Sequence, residues 1–345
     1  HSLRRRQRQM CIRDSSSISL ENTIKYLLKQ TIELDAIVIV DNCSDEENRS
    51  RVKAFGMQSS KIDIKWLPQN TGGAGGFCEG MKYVAEKYDP DWYWLMDDDA
   101  YPDADCLEQL IGEALKLPNV GFVAPLIWGI DNGKYQLYHA RNRKGIIYKF
   151  TPVEEDSKKL QEVTLIDVDA FVGPLISSRA VKKCGFPRAE YFIEGDDTDY
   201  TFRVSREFNG YLIKNAKMNH RDIVFTEDIN PKGWWKDYYW YRNTILFQLY
   251  NVKGVYKILG VLYVVAWSIK SKYLMYKNPK YCDYKTFRWK VMKRGVFDGL
   301  RRRSGARLLP ADYKRELEMY EKTSLFKKKR GKGVENNYKE NTTKR

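Results

Sequence analysis

Short β-branched or aromatic runs alternate with segments of helical period along the first third of the chain. From Ser19 to Gln30 the apolar positions Leu20, Ile24, Leu27 and Leu28 fall on one helical face. "AIVIV" (Ala36–Val40) ends in the turn sequence "DNCSD" and reads as a parallel strand covered on both faces. Arg49–Met57 is expected to be a short helix, and "IDIKWL" (Ile62–Leu67) alternates like a strand. "NTGGAGGF" (Asn70–Phe77) reads as a glycine loop, Gly76–Lys87 as a helix, and "WYWLM" (Trp92–Met96) as another buried strand. Strands and helices alternating at this spacing predict an α/β, Rossmann-like doubly wound sheet. Ligands of such sheets sit beyond the carboxyl ends of the strands. Asp41, Asn70 and Asp97 all fall at such ends.

Further on, Leu107–Leu115 is helical and Val120–Trp128 strand-like, and 131–159 is a polar insertion. Leu165–Ser177 is apolar, Phe192–Val204 opens a helix with carboxylates in its first turn, and Trp234–Asn243 leads into a long apolar helix. The apolar run Ile258–Ile269 reads as too short to cross a bilayer, but long enough for a buried or interfacial helix. Residues 1–14 show no apolar period and are expected to be non-native or disordered. The expected organisation is a catalytic domain over 15–250, a helical basic extension over 251–325 and a disordered basic tail over 326–345.

Charge sharpens this division. The chain has 345 residues and a formal net charge of +15. Residues 251–345 hold 26 Lys/Arg against 8 Asp/Glu, while the rest holds 34 against 37. A near-neutral body with a basic extension predicts an anionic partner for the extension, either a membrane surface or nucleic acid. The six cysteines form no C-x-x-C pair, which fits neither a zinc site nor a disulfide framework. They read as reduced cytosolic thiols, and no secretory signal is visible.

Three motifs carry chemistry. Asp97-Asp98-Asp99 follows an apolar strand, where three like charges raise one another's pKa unless a cation compensates. An exposed acidic loop is the plain reading. The strand-end position favours Asp97 and Asp99 aimed at one Mg²⁺ or Mn²⁺, which take oxygen ligands and bridge to phosphates. "NTGGAGGF" lets backbone approach a ligand closely, yet matches neither a P-loop nor a dinucleotide fingerprint; alone it is only a tight turn. "EGDDTD" (Glu194–Asp199) is either helix-terminal charge or the seat of a general base. Of the histidines, His1 lies in the excluded segment and His139 reads as structural. His220 is the remaining candidate ligand, although a lone histidine usually is not one.

Seven ordered blocks, "IVIVDNCSD", "NTGGAGGF", "WYWLMDDDAYPD", "DAFVGPLIS", "FIEGDDTDYTFR", the histidine of "NHRD" and "WWKDYYWYRN", resemble family 2 glycosyltransferases of the GT-A fold. Within that family they are similar to the branch of bacterial galactofuranosyltransferases and rhamnosyltransferases. The resemblance covers roughly Ser19 to Tyr250. It implies a nucleotide-sugar site in which Asp41 contacts the base, Asn70, Gly72, Gly73, Gly75 and Gly76 line the pocket, and Asp98 lies near the ribose or donor sugar. It further implies a divalent cation (Mn²⁺ or Mg²⁺) on Asp97, Asp99 and His220, with Asp197 as catalytic base. Asp196, Trp234, Trp235 and Tyr239 would border donor or acceptor, and Tyr238, Arg242 and Asn243 belong to the same aromatic block. Two departures stand out. The family's opening strand with its "TYNR"-like turn is expected to be missing or replaced, and the usual tryptophan before the second acidic cluster is replaced in "IEGDD".

The resemblance implies an inverting transfer from a donor such as UDP-galactofuranose or dTDP-rhamnose to a glycan or lipid-linked acceptor, in cell-wall or surface polysaccharide synthesis. The enzyme would be cytoplasmic and peripheral at the inner face of the plasma membrane. A sugar nucleotidyltransferase would also use paired carboxylates on a metal, but it would leave "GDDTD" without a role. A non-catalytic nucleic-acid-binding protein would explain the basic extension but not three acidic clusters on one sheet edge.

Overall fold

The computed structural model describes residues 8–13, 17–145, 149–154, 156–221, 230–281 and 283–323. The chain divides into two compact units, His1–Val224 with Phe247–Gly260, and Phe225–Leu246 with Val261–Arg345. The tail expected over 326–345 lies outside the described residues.

The first unit is built on one mixed sheet. Its strands are β1 (Arg8–Arg13), β2 (Ala36–Asp41), β3 (Ile62–Trp66), β4 (Trp92–Asp97), β5 (Ala100–Pro102) and β6 (Val120–Gly129). A separate hairpin follows, β7 (Arg141–Lys144) with β8 (Lys149–Pro152). The main sheet is completed by β9 (Val163–Ile166), β10 (Leu175–Ser177) and β11 (Asn209–His220). Its order is β3-β2-β1-β4-β10-β6-β11-β5, with β9 also on β11. β1, β2, β3 and β4 pair in parallel, β10 runs antiparallel to β4 and β6, and β11 is parallel to β6. The helices are α1 (Ser17–Leu28), α2 (Glu46–Gly56), α3 (Gly72–Tyr88), α4 (Cys106–Ala114), α5 (Ser178–Cys184) and α6 (Asp196–Glu207).

The missing first strand is a correction. Arg8–Arg13, set aside on its sequence, forms β1 between β2 and β4, with Gln9 opposite Ala36 and Arg13 opposite Asp97. Buried backbone N–H and C=O groups of β2 and β4 need partners. Any extended segment supplies them through its own backbone, so membership of this strand leaves little trace in side-chain pattern. The chain order reverses at β1, with β2 on one side and β4 on the other. That reversal is a topological switch point, where ligands of open α/β sheets bind.

β4 shows how the sequence builds two cores on one sheet. Trp92, Trp94 and Met96 enter one apolar cluster, while Tyr93 and Leu95 enter the cluster on the opposite face. β2 does the same, with Ile37 and Ile39 against Val38 and Val40. Trp94 meets the requirement of its buried N–H by donating to Gly173 O at 2.8 Å. The glycine loop is a second correction. Gly72, Gly73, Gly75 and Gly76 form the buried first turns of α3, which starts at Gly72. Gly72 has φ +70°, and a Cβ there would stand 2.0 Å from Phe192 O. Ala74 N–H donates to that same oxygen at 3.1 Å. The glycines thus let a helix start press against the segment before α6.

The division between units falls within α7 (Trp235–Asn251) and α8 (Gly254–Lys277). The second unit also contains α9 (Lys285–Leu300) and a helix over 310–323. Tyr238 O–H donates to Asp298 at 2.7 Å, and the Arg288 guanidinium lies over the Trp234 ring and pairs with Asp237 at 2.7 Å. Gly295 and Gly299 let α9 pack directly on the α7 backbone, since a Cβ at Gly295 would meet Tyr238 O at 2.3 Å. α8 corrects the expectation drawn from its twelve-residue apolar core. At 24 residues it is about 36 Å long. By length and composition it is able to cross a membrane. Leu262, Ile269 and Leu274 are more than half exposed on it.

Candidate active site

β4 ends at Asp97, and the chain turns at once into the short β5. Thr23 of α1 holds this turn, its hydroxyl donating to Asp98 O at 2.6 Å. β5 pairs antiparallel with β11, which sets His220 opposite Ala100. This register carries His220 across more than a hundred residues to the acidic turn. Its Nε2 stands 3.2 Å from Asp99 Oδ1. One oxygen of Asp97, one of Asp99 and a His220 ring nitrogen lie within 4.8 Å of one another, and all three residues are part-exposed. Two hard carboxylate oxygens and one imidazole nitrogen suit Mn²⁺ or Mg²⁺. The predicted trio is therefore one cluster with a donor set that fits the expected cation. Asp98 differs from its neighbours in being buried.

Behind the trio lies a hydrogen-bonded support. Gln136 is buried, and its Oε1 is 3.3 Å from His220 Nδ1 and 2.8 Å from His139 Nε2. A carbonyl oxygen only accepts, so both imidazoles turn an N–H toward it. This assignment of His220 leaves Nε2 to face Asp99 and the cation position. The Gln136 amide donates to the backbone carbonyls of His220 and Arg221. Burial, with the charges of His220 and Arg141, pushes His139 down to about 3 and keeps it neutral. Burial works against a charge on His220 too, but the Asp99 hydrogen bond and the charges of Asp99, Asp97 and Asp98 outweigh it and raise its pKa. Asp99 is likewise disfavoured by burial, yet its bond to His220 holds it below the usual carboxylate range.

The second acidic cluster forms the first turn of α6. The approach to it is strained: Phe192, Glu194 and Gly195 have φ of 65°, 69° and 83°. Non-glycine residues in this region cost energy and gather at functional sites. Asp197 Oδ1 accepts from Thr198 N–H at 2.5 Å and from the Thr198 hydroxyl at 3.1 Å. No described residue donates to Oδ2, so one oxygen is fixed and one is open, as a base requires. Arg141 Nη2 donates to Thr198 Oγ1 at 2.8 Å, and Arg141 Nε to His139 O at 3.4 Å. Asp196 is buried beside them. Asp199 is fully buried and bonded to Arg188, Arg203, Tyr191 and Asn251. It serves as a structural anchor.

Other predicted residues are placed as follows. Asp41, at the end of β2, accepts from Ser44 N–H and from Arg49 Nε at 3.1 Å, so its carboxylate shapes the turn after the strand. Asn70 is exposed and its Oδ1 caps Gly72 N–H at 2.8 Å. Trp234, Trp235 and Tyr239 belong to the aromatic packing of the second unit, where Tyr239 O–H bonds Leu308 O at 3.2 Å. Gln136 and Arg141 are polar residues of the site that lie outside the quoted motifs, while Asp169 opens the block "DAFVGPLIS" with no role of its own implied there. Nothing in the adjacent sequence singles out these side chains; the bridge of Arg141 to Val168 and the course of β11 beside β6 bring them together. Among the described residues, Cys43, Cys78, Cys106 and Cys184 are free thiols.

The first unit thus combines a sheet that switches at β1, an acidic strand end with a histidine, and a second acidic helix start. Residues 17–173 match the model of glycosyl transferase family 2. That match spans just under half of the chain, and it supports a glycosyltransferase with a GT-A fold. The galactofuranosyltransferase GlfT1 of Mycobacterium tuberculosis is 28% identical over 190 residues, 54% of this chain and 60% of that protein. The chain thus spans 60% of the length of that curated relative. S. aureus TarS 1–349 superposes with TM-score 0.53 at 11% identity, over 85% of this chain and 80% of that one. The mannosyltransferase PcManGT of Pyrobaculum calidifontis, solved with GDP-Man and Mn²⁺, does so with TM-score 0.53 at 10% identity, over 86% and 88%.

Proposed function

We propose that this protein transfers a sugar, galactofuranose or rhamnose, from a nucleotide-diphosphate donor to a glycan or lipid-linked glycan hydroxyl, with inversion. The observation that carries this reading is the pairing of a cation-ready trio with a carboxylate that has one open oxygen. Asp97, Asp99 and His220 would hold a divalent cation, which when bound neutralises charge on the diphosphate leaving group. Asp197 Oδ2 accepts the proton of the acceptor hydroxyl. The acceptor's hydroxyl oxygen attacks the anomeric carbon from the face opposite the diphosphate, the new C–O bond forms as the old one breaks, and the nucleoside diphosphate departs. Thr198 keeps Oδ1 occupied, so the basic oxygen has one orientation. Likeness to GlfT1 supports galactofuranose as the sugar.

The second part of the proposal places the enzyme in the cytoplasm at an anionic membrane surface. Leu262, Ile269 and Leu274 are exposed on α8, with Lys270 and Lys277 on the same helix. Each lysine near an anionic leaflet adds about 1 kcal/mol. Incubation with UDP-galactofuranose or dTDP-rhamnose, Mn²⁺ and a glycan acceptor tests the reaction. Glycosylated product or donor hydrolysis that vanishes in Asp197→Ala supports it. Neither donor being bound or cleaved with metal present sinks it.

A further inference from the structure

Arg141 opens β7, and its main chain is clamped in place. Its N–H donates to Val168 O at 3.0 Å, and its carbonyl accepts from Val168 N–H at 3.1 Å and from Asp167 N–H at 3.2 Å. The side chain therefore leaves a fixed point. Its guanidinium is bonded to a hydroxyl and a main-chain carbonyl: Nη2 donates to Thr198 Oγ1 at 2.8 Å and Nε to His139 O at 3.4 Å.

The first bond decides what the Thr198 hydroxyl does. A hydroxyl has one hydrogen to give. With Arg141 donating to its oxygen, that hydrogen turns away from the guanidinium and falls on Asp197 Oδ1 at 3.1 Å. A charged donor on the oxygen also polarises the hydroxyl and strengthens the bond it gives. Without Arg141 the hydroxyl is free to turn to other partners. Asp197 Oδ1 then keeps only the Thr198 N–H at 2.5 Å, and the carboxylate swings about that single bond. The second bond of Arg141 leads to the cation side. The ring Nε2 of His139 is 2.8 Å from Gln136 Oε1, and the same oxygen is 3.3 Å from His220 Nδ1. A continuous path thus runs from His220 through Gln136, His139, Arg141 and Thr198 to Asp197.

We infer that Arg141 is a positioning residue for the transfer: it orients the Thr198 hydroxyl and so holds Asp197 in a fixed direction relative to the cation trio. The role rests on the reading of Asp197 as the base. Lysine is a poor substitute, because a single ammonium lacks the planar fork that reaches two acceptors in set directions.

The test is Arg141→Ala in the full chain, assayed with UDP-galactofuranose, Mn²⁺ and a glycan acceptor. Turnover should fall about 10- to 100-fold, while donor KM and Mn²⁺ affinity stay unchanged. Added guanidinium, far below denaturing concentration, should restore part of the loss, and Arg141→Lys should be intermediate. Thr198→Val keeps the shape and removes the hydroxyl; it should lose turnover to the same extent without responding to guanidinium. Thr198→Ser should recover most of what Thr198→Val loses, and R141A/T198V should be no worse than T198V alone. Wild-type turnover in R141A or T198V overturns the inference, as does a loss in R141A that guanidinium leaves unrepaired. So does a raised donor KM in R141A, which would mark a direct contact with the diphosphate. If R141A does not fold, the two Thr198 variants decide, and equal turnover in them overturns the inference. Asp197→Asn separates the two readings. Full turnover in D197N defeats the base assignment, whereas an inactive D197N beside T198V at full turnover defeats the positioning role alone.

Discussion

Gln136 fixes the orientation of His220: its side-chain carbonyl oxygen is 3.3 Å from His220 Nδ1, while its amide holds the His220 carbonyl. The imidazole is therefore gripped from behind, with Nε2 turned toward Asp99. Supports of this kind set both tautomer and ring angle of a ligating histidine. Gln136→Leu should keep the fold and weaken Mn²⁺ binding by about 10- to 100-fold. Calorimetric titration with Mn²⁺ reads this directly, and an unchanged affinity would remove Gln136 from the site.

With a cation on the proposed trio, proton and cation would compete for His220. Without metal, the folded protein holds the His220 proton more tightly than the unfolded chain, whose value is near 6.5. The Asp99–His220 pair thus stabilises the fold below about pH 6.5, and this is lost as pH rises through the higher folded value. Mn²⁺ affinity should run the opposite way and climb over the same interval. Paired melting curves and Mn²⁺ titrations from about pH 5.5 to 8.5 should show the two trends, and His220→Ala should flatten both.

Two glycines separate close approach from mere flexibility. Gly72→Ala meets Phe192 O at 2.0 Å in a left-handed backbone, and should cost about 1–3 kcal/mol or more. Gly112, inside α4, has nothing within 4 Å of a Cβ, so Gly112→Ala should be neutral or stabilise by up to about 1 kcal/mol. Urea denaturation of both variants checks the contrast.

Asp199→Ala removes a fully buried carboxylate from Arg188 and Arg203, which are themselves mostly buried. Loss of one member of such a group leaves the others' charges without compensation and should cost about 3 kcal/mol. The expected result is a lowered denaturation midpoint in a chain that still binds Mn²⁺, because the cation trio uses none of these side chains. A midpoint equal to wild type would show that the anchor contributes little.

The parts of this fold that were legible in sequence are those whose environment dictates side-chain type. "AIVIV" and "WYWLM" face core on both sides, so they had to be apolar throughout. The acidic turn and His220 stood out because charges at a strand end and a histidine are scarce. β1 was not legible, since its place is set by the hydrogen bonds of β2 and β4. The glycines resemble a loop in sequence because the clearance that Gly72 gives Phe192 O involves a residue 120 positions away. Gln136, Arg141 and Asp169 gain meaning only from neighbours that the topology supplies. The full span of α8 is hidden in sequence because lysines near its ends interrupt the apolar run without ending the helix.

The contact between Gly72 and the Phe192 carbonyl also bears on how such a sequence drifts over generations. A side chain at 72 is admissible only if the backbone at 192 has moved first, and moving 192 disturbs the start of α6. Neither change is neutral alone, so the two positions should be inherited together. Among descendants of this chain, a departure from glycine at 72 should accompany an altered length or backbone turn before the second acidic cluster, and a survey of natural variants would reveal that linkage.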